Sequence, residues 1–195
     1  GYETSEVITM YYSVIEGYGN YIYYIGSTDG WNRAEQRLKG SDGYYSGFLY
    51  CAGENNEFKF QTEAGNWDTE INTSHFSGSI YGDLSDGGSG SNIRATAGDG
   101  VYYVEADLAK GTLRGTFVHT MGVIGDFNDW SDDVVMSWNA DDYCYEVTGA
   151  GVTANGWKFR VNRDWSINLG GTIDNLDYGG DNIEVVGNTI KPLDS

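Results

Sequence analysis

The sequence predicts an all-β protein made of two tandem antiparallel β-sandwich modules, residues 1–109 and 110–195. Three observations carry that expectation. Short runs alternate apolar and polar residues with the period of two that half-buried strands require. The composition, with 29 Gly, 16 Tyr, 7 Phe, 6 Trp and a single Pro in 195 residues, suits aromatic strands joined by glycine turns better than helical bundles. A chemical triplet also occurs twice. Trp31, Lys59 and Trp67 are followed by Trp130, Lys158 and Trp165; the first two pairs, with Gly26 and Gly125, are offset by 99 positions and the last pair by 98. A constant offset of this kind is the mark of a duplicated module.

The elements follow in order. Ile8–Ile15 and Tyr21–Gly26 read as strands around a turn at Gly17–Asn20, and Asp29-Gly30 turns the chain just before Trp31. Tyr44–Cys51 is the next strand. In Glu57–Gln61, Phe58 and Phe60 point to the core and leave Lys59 on the opposite face with Glu57 and Gln61. Gly82–Asn92, rich in Gly, Ser and Asp, reads as a loop inside the first module, and Gly100–Asp107 is a Tyr-rich strand. A boundary falls near Ala109–Gly111, and Thr112–Val118 opens the second module. There, Met121–Gly125 leads into the loop Asp126–Trp130, and Tyr143–Val147 is a strand. Trp157, Phe159 and Val161 then alternate with Lys158 and Arg160, giving Lys158 the same outward phase as Lys59. Asp177–Asn182 is the shorter counterpart of the first module's loop, ahead of Ile183–Val186. An immunoglobulin-like connection of these strands is expected.

Charge narrows the partners. With 11 Lys and Arg against 29 Asp and Glu, the net charge of -18 repels nucleic acid and anionic membrane surfaces but not a neutral sugar. Cys51 and Cys144 occupy different points of the repeat, so they cannot form one bridge repeated in each module. His75 and His119 belong to no zinc pattern. No metal or other cofactor is expected; the Asp-rich loops offer oxygens for a structural calcium, yet none has the full EF-hand spacing. A glycosidase would need two carboxylates across a cleft. Asp29, Asp68, Asp126, Asp129 and Asp164 are available, but no duplicated pair has a catalytic spacing.

The triplets therefore point to binding without turnover. Two indole faces can support the apolar faces of sugar rings while an ammonium group donates to their hydroxyls. The candidate ligand-binding residues are Trp31, Lys59 and Trp67, then Trp130, Lys158 and Trp165. Asn66 and Asp68 are secondary candidates in the first module, and Asn128, Asp164 and Asn168 in the second. Exposed aromatics also serve protein interfaces, so a surface adhesin or protein-interaction module is the alternative.

Both modules resemble the starch-binding domains of the SusE/SusF family of Bacteroidetes outer-membrane lipoproteins. The stretches that carry the resemblance are Tyr24-Ile25-Gly26 with Trp31, Glu57-Phe58-Lys59-Phe60 and Gly65-Asn66-Trp67. Their later counterparts are Val123-Ile124-Gly125-Asp126 with Trp130, Trp157-Lys158-Phe159-Arg160 and the segment from Asp164 to Gly171. The resemblance covers most of both repeats and is closer in the second. It implies β-sandwich domains that hold starch or malto-oligosaccharides at the cell surface beside an outer-membrane glycan uptake system, without hydrolysis. It also implies a lipid anchor in the precursor, although no lipobox is visible in the chain. The longer Gly78–Asn92 segment sets the first module apart, and the second lacks a Tyr-rich final strand, for which Gly187–Leu193 is the nearest substitute.

Overall fold

A computed structural model describes residues 18–77, 79–88, 90–152, 156–172 and 175–178. The expected segments Ile8–Ile15, Ile183–Val186 and Gly187–Leu193 lie outside them. The fold is all-β, and its helical content among the described residues is five short 3₁₀ turns. No helix among these residues is long and apolar enough to cross a membrane.

Among the described residues, ten strands build the first sheet: β1 (Tyr21–Gly26), β2 (Arg37–Ser41), β3 (Tyr44–Cys51), β4 (Glu57–Gln61), β5 (Glu70–Ile71), β6 (Ser79–Gly82), β7 (Leu84–Asp86), β8 (Ile93–Ala95), β9 (Gly100–Asp107) and β10 (Thr112–Phe117). Their order is β6-β10-β9-β3-β2-β1-β4-β8-β7, with β5 added beside β4. The two ends of that path, β6 and β7, are separated in sequence by Asp83 alone. The Asp83 amide donates to the Gly115 carbonyl at 2.8 Å, and its carboxylate accepts from the Phe117 amide at 2.7 Å. The sheet thus curls into a nearly closed barrel around Tyr24, Tyr45, Leu49, Phe58, Phe60 and Tyr102, all fully buried. Closure of this kind protects edge strands that would otherwise expose unpaired backbone groups.

The second half contains β11 (Met121–Gly125), β12 (Val134–Val135), β13 (Ser137–Asn139), β14 (Cys144–Glu146), β15 (Trp157–Val161), β16 (Asn168–Thr172) and β17 (Asn175–Tyr178). β12, β11, β15, β16 and β17 form a five-stranded sheet, while β13 and β14 pair as a separate hairpin. The two halves share a core. β3 and β9 turn Phe48, Val101 and Tyr103 away from the barrel interior into a cluster with Met121, Val123, Trp157 and Phe159. Phe48 meets Tyr145 edge-on at 5.5 Å, and Tyr50 stacks on Trp138 at 6.4 Å.

Some expected elements shift. β10, which follows the anticipated boundary at residue 109, pairs with β9 and β6 and so lies in the first sheet; the passage to the second sheet runs through Val118–Thr120. The stretch 82–92 is not wholly loop, because β7 pairs with β8 across it. Tyr178, assigned to the shorter counterpart loop, ends β17, which pairs with β16. Tyr143 lies just before β14 in the left-handed region, with φ 50°.

The repeat is exact where it was most legible. β1 pairs with β4 so that Ile25 faces Lys59 and Gly26 faces Phe58; β11 pairs with β15 so that Ile124 faces Lys158 and Gly125 faces Trp157. Both glycines have extended φ, so the demand for glycine comes from close approach. A Cβ on Gly26 would lie 2.6 Å from the Glu57 carbonyl oxygen and the Phe58 Cβ; on Gly125 it would lie 2.5 Å from the Trp157 Cβ. Gly26→Ala and Gly125→Ala are each expected to cost roughly 1–3 kcal/mol, measured by chemical denaturation, with both changes acting on the same local geometry.

Candidate carbohydrate-binding sites

Each site begins where the first strand of the pair stops. In the first, the chain leaves Gly26 through a 3₁₀ turn, Ser27–Asp29, and then takes two left-handed residues, Gly30 (φ 64°) and Trp31 (φ 65°). The Trp31 amide donates back to the Gly26 carbonyl at 2.9 Å and to Asp29 Oδ1 at 3.0 Å; the same oxygen accepts from the Gly26 amide at 3.3 Å. In the second, Gly125 leads through Asp126–Asn128 to Asp129 and Trp130, both at φ 54°. The Trp130 amide donates to the Gly125 carbonyl at 3.0 Å, and Asn128 Oδ1 accepts from the Gly125 amide at 3.0 Å. Asp29 and Asn128 are therefore at equivalent positions, and each accepts from the amide of the glycine that ends its strand.

The second tryptophan comes from the turn that follows the lysine strand. Asn66 caps the 3₁₀ turn Trp67–Thr69 by accepting from the Asp68 amide at 3.0 Å, while its amide group donates to Glu63 at 2.9 Å. In the later copy, Asp164 Oδ1 accepts from the Ser166 amide at 2.8 Å, and Asn168 donates to the Trp165 carbonyl at 2.8 Å. The backbone amide of Ser166 is the leading cause that holds the Asp164 carboxyl below the usual range. These turns bring the indoles together in both places. Trp31 and Trp67 lie 6.4 Å apart with ring planes 27° from parallel, and Trp130 and Trp165 lie 6.0 Å apart at 38°. The exposure of Trp67 (48%) and Trp165 (47%) separates them from Trp157, which is fully buried.

The lysines stand at matching positions, opposite Ile25 and Ile124, but meet different partners. Lys59 Nζ pairs with Glu70 at 2.8 Å, whereas Lys158 Nζ donates to Asn168 Oδ1 at 2.9 Å. Glu70 was not among the sequence candidates, although it lies 98 positions before Asn168, the same offset that separates Trp67 from Trp165. The remaining outward-phase residues are more enclosed than alternation implied. Glu57 is covered by Asn92 and Arg94, at 2.7 and 2.6 Å; Gln61 is fully buried and accepts from the Gly65 amide; Arg160 is buried against Asp133 at 3.1 Å and lies 4.6 Å from the Trp165 ring centre.

Of the secondary candidates, Asn66, Asn128 and Asp164 serve their own turns, Asp68 is exposed beside Trp67, and Asn168 links Lys158 to the Trp165 backbone. Trp130 also donates its indole N–H to Asp126. Cys51 and Cys144 are both buried, and the Cys144 thiol donates to Glu146 at 3.7 Å. Asp142, Cys144 and Glu146 lie close enough to offer three metal-ligand atoms within 4.8 Å of one another, and Asn139 donates to both carboxylates.

The Glu70 environment carries a pH dependence. Burial raises its carboxyl pKa, but hydrogen bonds from Lys59 and Asn72 outweigh burial and hold it below the ordinary 4.5. A depressed carboxylate contributes stability that is complete above its unfolded pKa and is lost as pH falls through the folded one. The thermal stability advantage of the native chain over Glu70→Gln should accordingly be full at neutral pH and shrink as the pH drops below about 4.5, measured by paired melts across an acid titration.

Comparison with protein-family models and with curated proteins returns no match to this chain.

Proposed function

We propose that the chain is a non-catalytic carbohydrate-binding protein that captures starch or related neutral glucans at the cell surface for uptake. One observation carries this reading: two indole pairs of near-equal spacing, each with its second indole about half exposed, sit on strand pairs of identical register with a lysine at the same place. Ring separations of 6.4 and 6.0 Å give an apolar platform on the scale of a sugar ring, and the adjacent ammonium supplies donors for hydroxyls.

The surrounding acids fit binding better than hydrolysis. Asp29 and Asp164 accept backbone amides within their turns, and Asp126 accepts the Trp130 indole N–H. The charge of -18 favours a neutral polymer over an anionic one at long range. In this reading the halves, which meet at Val118–Thr120, are tandem immunoglobulin-like sandwich modules. They act beside an outer-membrane uptake system, with the precursor lipid-anchored and surface-exposed, as the SusE/SusF resemblance implies. Two sites on one chain raise the avidity for a long polymer when both can engage it.

A glycan array followed by calorimetry with maltoheptaose and non-glucan controls tests the assignment. Trp31→Ala with Trp67→Ala, and Trp130→Ala with Trp165→Ala, should each weaken their own site by about tenfold or more while the circular dichroism spectrum is retained. Maltoheptaose affinity unchanged after all four substitutions would rule the platforms out.

The left-handed tryptophans add a second expectation. Trp130→Gly relieves the positive φ, so its unfolding free energy should differ from the native value by no more than about 1 kcal/mol, even as site-two binding is lost. Trp157→Ala, which empties a buried indole site, should cost about 3–5 kcal/mol. Denaturant unfolding of the two variants separates a displayed tryptophan from a packed one.

A further inference from the structure

The two sites share their indoles and lysine but differ in what faces the lysine. The residue is Glu70 in the first and Asn168 in the second, and the strand pairing makes them counterparts: β5 places Glu70 opposite Gln61, and β16 places Asn168 opposite Arg160. Glu70 is a carboxylate that takes the Lys59 ammonium at 2.8 Å and the Asn72 amide at 2.6 Å. The Lys59–Glu70 couple is neutral as a whole. It presents N–H donors next to carboxylate acceptors, the pairing that neighbouring sugar hydroxyls complement.

Asn168 is already used at both ends of its amide, accepting from Lys158 and donating to the Trp165 carbonyl. Among the described residues no carboxylate pairs with Lys158, whose partner is the uncharged Asn168 amide. Nearby, Arg160 is paired with Asp133 at 3.1 Å, and Asp126 accepts from the Trp130 indole. An ammonium with three N–H donors, one of them spent on Asn168, retains the capacity to meet an anionic group.

Resting on the glycan-binding reading of these sites, we propose that the residue facing the lysine sets charge selectivity: Glu70 restricts the first site to neutral glycans, and Asn168 lets the second also accept sugars bearing a carboxylate. The chain as a whole thereby tolerates occasional uronic-acid residues along a glucan that the first site alone would reject. An incoming carboxylate at the first site meets Glu70, a like charge paired with the lysine, whereas at the second it meets a lysine whose own partner is a neutral amide.

The test uses the full chain with one site removed at a time: Trp130→Ala with Trp165→Ala to read the first, and Trp31→Ala with Trp67→Ala to read the second. Calorimetry compares maltoheptaose with a malto-oligosaccharide oxidised at C6 to the uronic acid. The first site is expected to bind the carboxylated probe about 3- to 10-fold more weakly than the neutral one, and the second to bind it equally or more tightly. Raising the salt to about 0.5 M should move both ratios toward one, because screening acts on the charge alone. Glu70→Asn and Asn168→Glu should exchange the two preferences. Selectivity that is the same at both sites, or unmoved by salt and by the exchange while maltoheptaose still binds, overturns the inference and leaves glycan binding standing. Failure of either site to bind maltoheptaose at all overturns the glycan reading, and this inference with it.

Discussion

The geometry of both sites depends on one close approach between backbones. Where β1 meets β4 and β11 meets β15, the final residue of the first strand lies so near its neighbour that only a hydrogen fits at its Cα. The strand ends there, and the chain turns at once through a 3₁₀ segment into two left-handed residues. The backbone amide of the second of these, a tryptophan, bonds back to the carbonyl of that same glycine at 2.9 Å in one copy and 3.0 Å in the other. The tryptophan is thus tied to the strand end instead of floating on a loop. The lysine is fixed by the same pairing, because it stands opposite the residue just before the glycine. A single register consequently sets two of the three groups in each site, and the turn after the lysine strand supplies the third.

What could be read from the chain followed from that local geometry. Period-two alternation placed Phe58, Phe60, Trp157 and Phe159 in the core and set Lys59 and Lys158 on the other face. The offset of 99 located the equivalent glycines and first tryptophans because no residue has been gained or lost between them. Residues covered by distant segments were less legible. Glu57, Gln61 and Arg160 share the lysine's phase, yet Asn92, Arg94, the Gly65 turn and Asp133 enclose them. Alternation reports which way a side chain points and says nothing of what later folds over it.

The curl of the first sheet was likewise hidden, because it depends on Asp83 joining two short strands across the Gly115–Phe117 backbone. Neither β6 nor β7 has a run long enough to show a period, and β10 reads as the start of a new module until its partners β9 and β6 are known. The shared core has the same origin. β3 and β9 bury both faces, one in the barrel and one against the second half, so their sequences read as aromatic runs without announcing a second partner. Glu70 was missed for a different reason. It matches Asn168 in position but not in type, and a search for repeated residue identities passes over a counterpart whose charge has changed.

The tryptophans themselves are the part of the structure that folding explains least. A bulky residue at positive φ is uncommon, and a sparsely populated backbone state of this kind costs of order 1–3 kcal/mol. Contact with the partner indole returns roughly 0.5–1.5 kcal/mol beyond buried area, and with Trp67 and Trp165 about half exposed the buried area is modest. The indole hydrogen bond to Asp126 supports Trp130 further, while in the first copy the Asp29 carboxylate holds the Trp31 backbone. A glycine at either position would satisfy the turn without the strain, as Gly30 does one residue earlier. Two copies of this strand-and-turn geometry nonetheless place the strain at the same position, and on the same side chain. Stability alone gives no reason for that choice, whereas a ligand that needs two indole faces at a fixed spacing does.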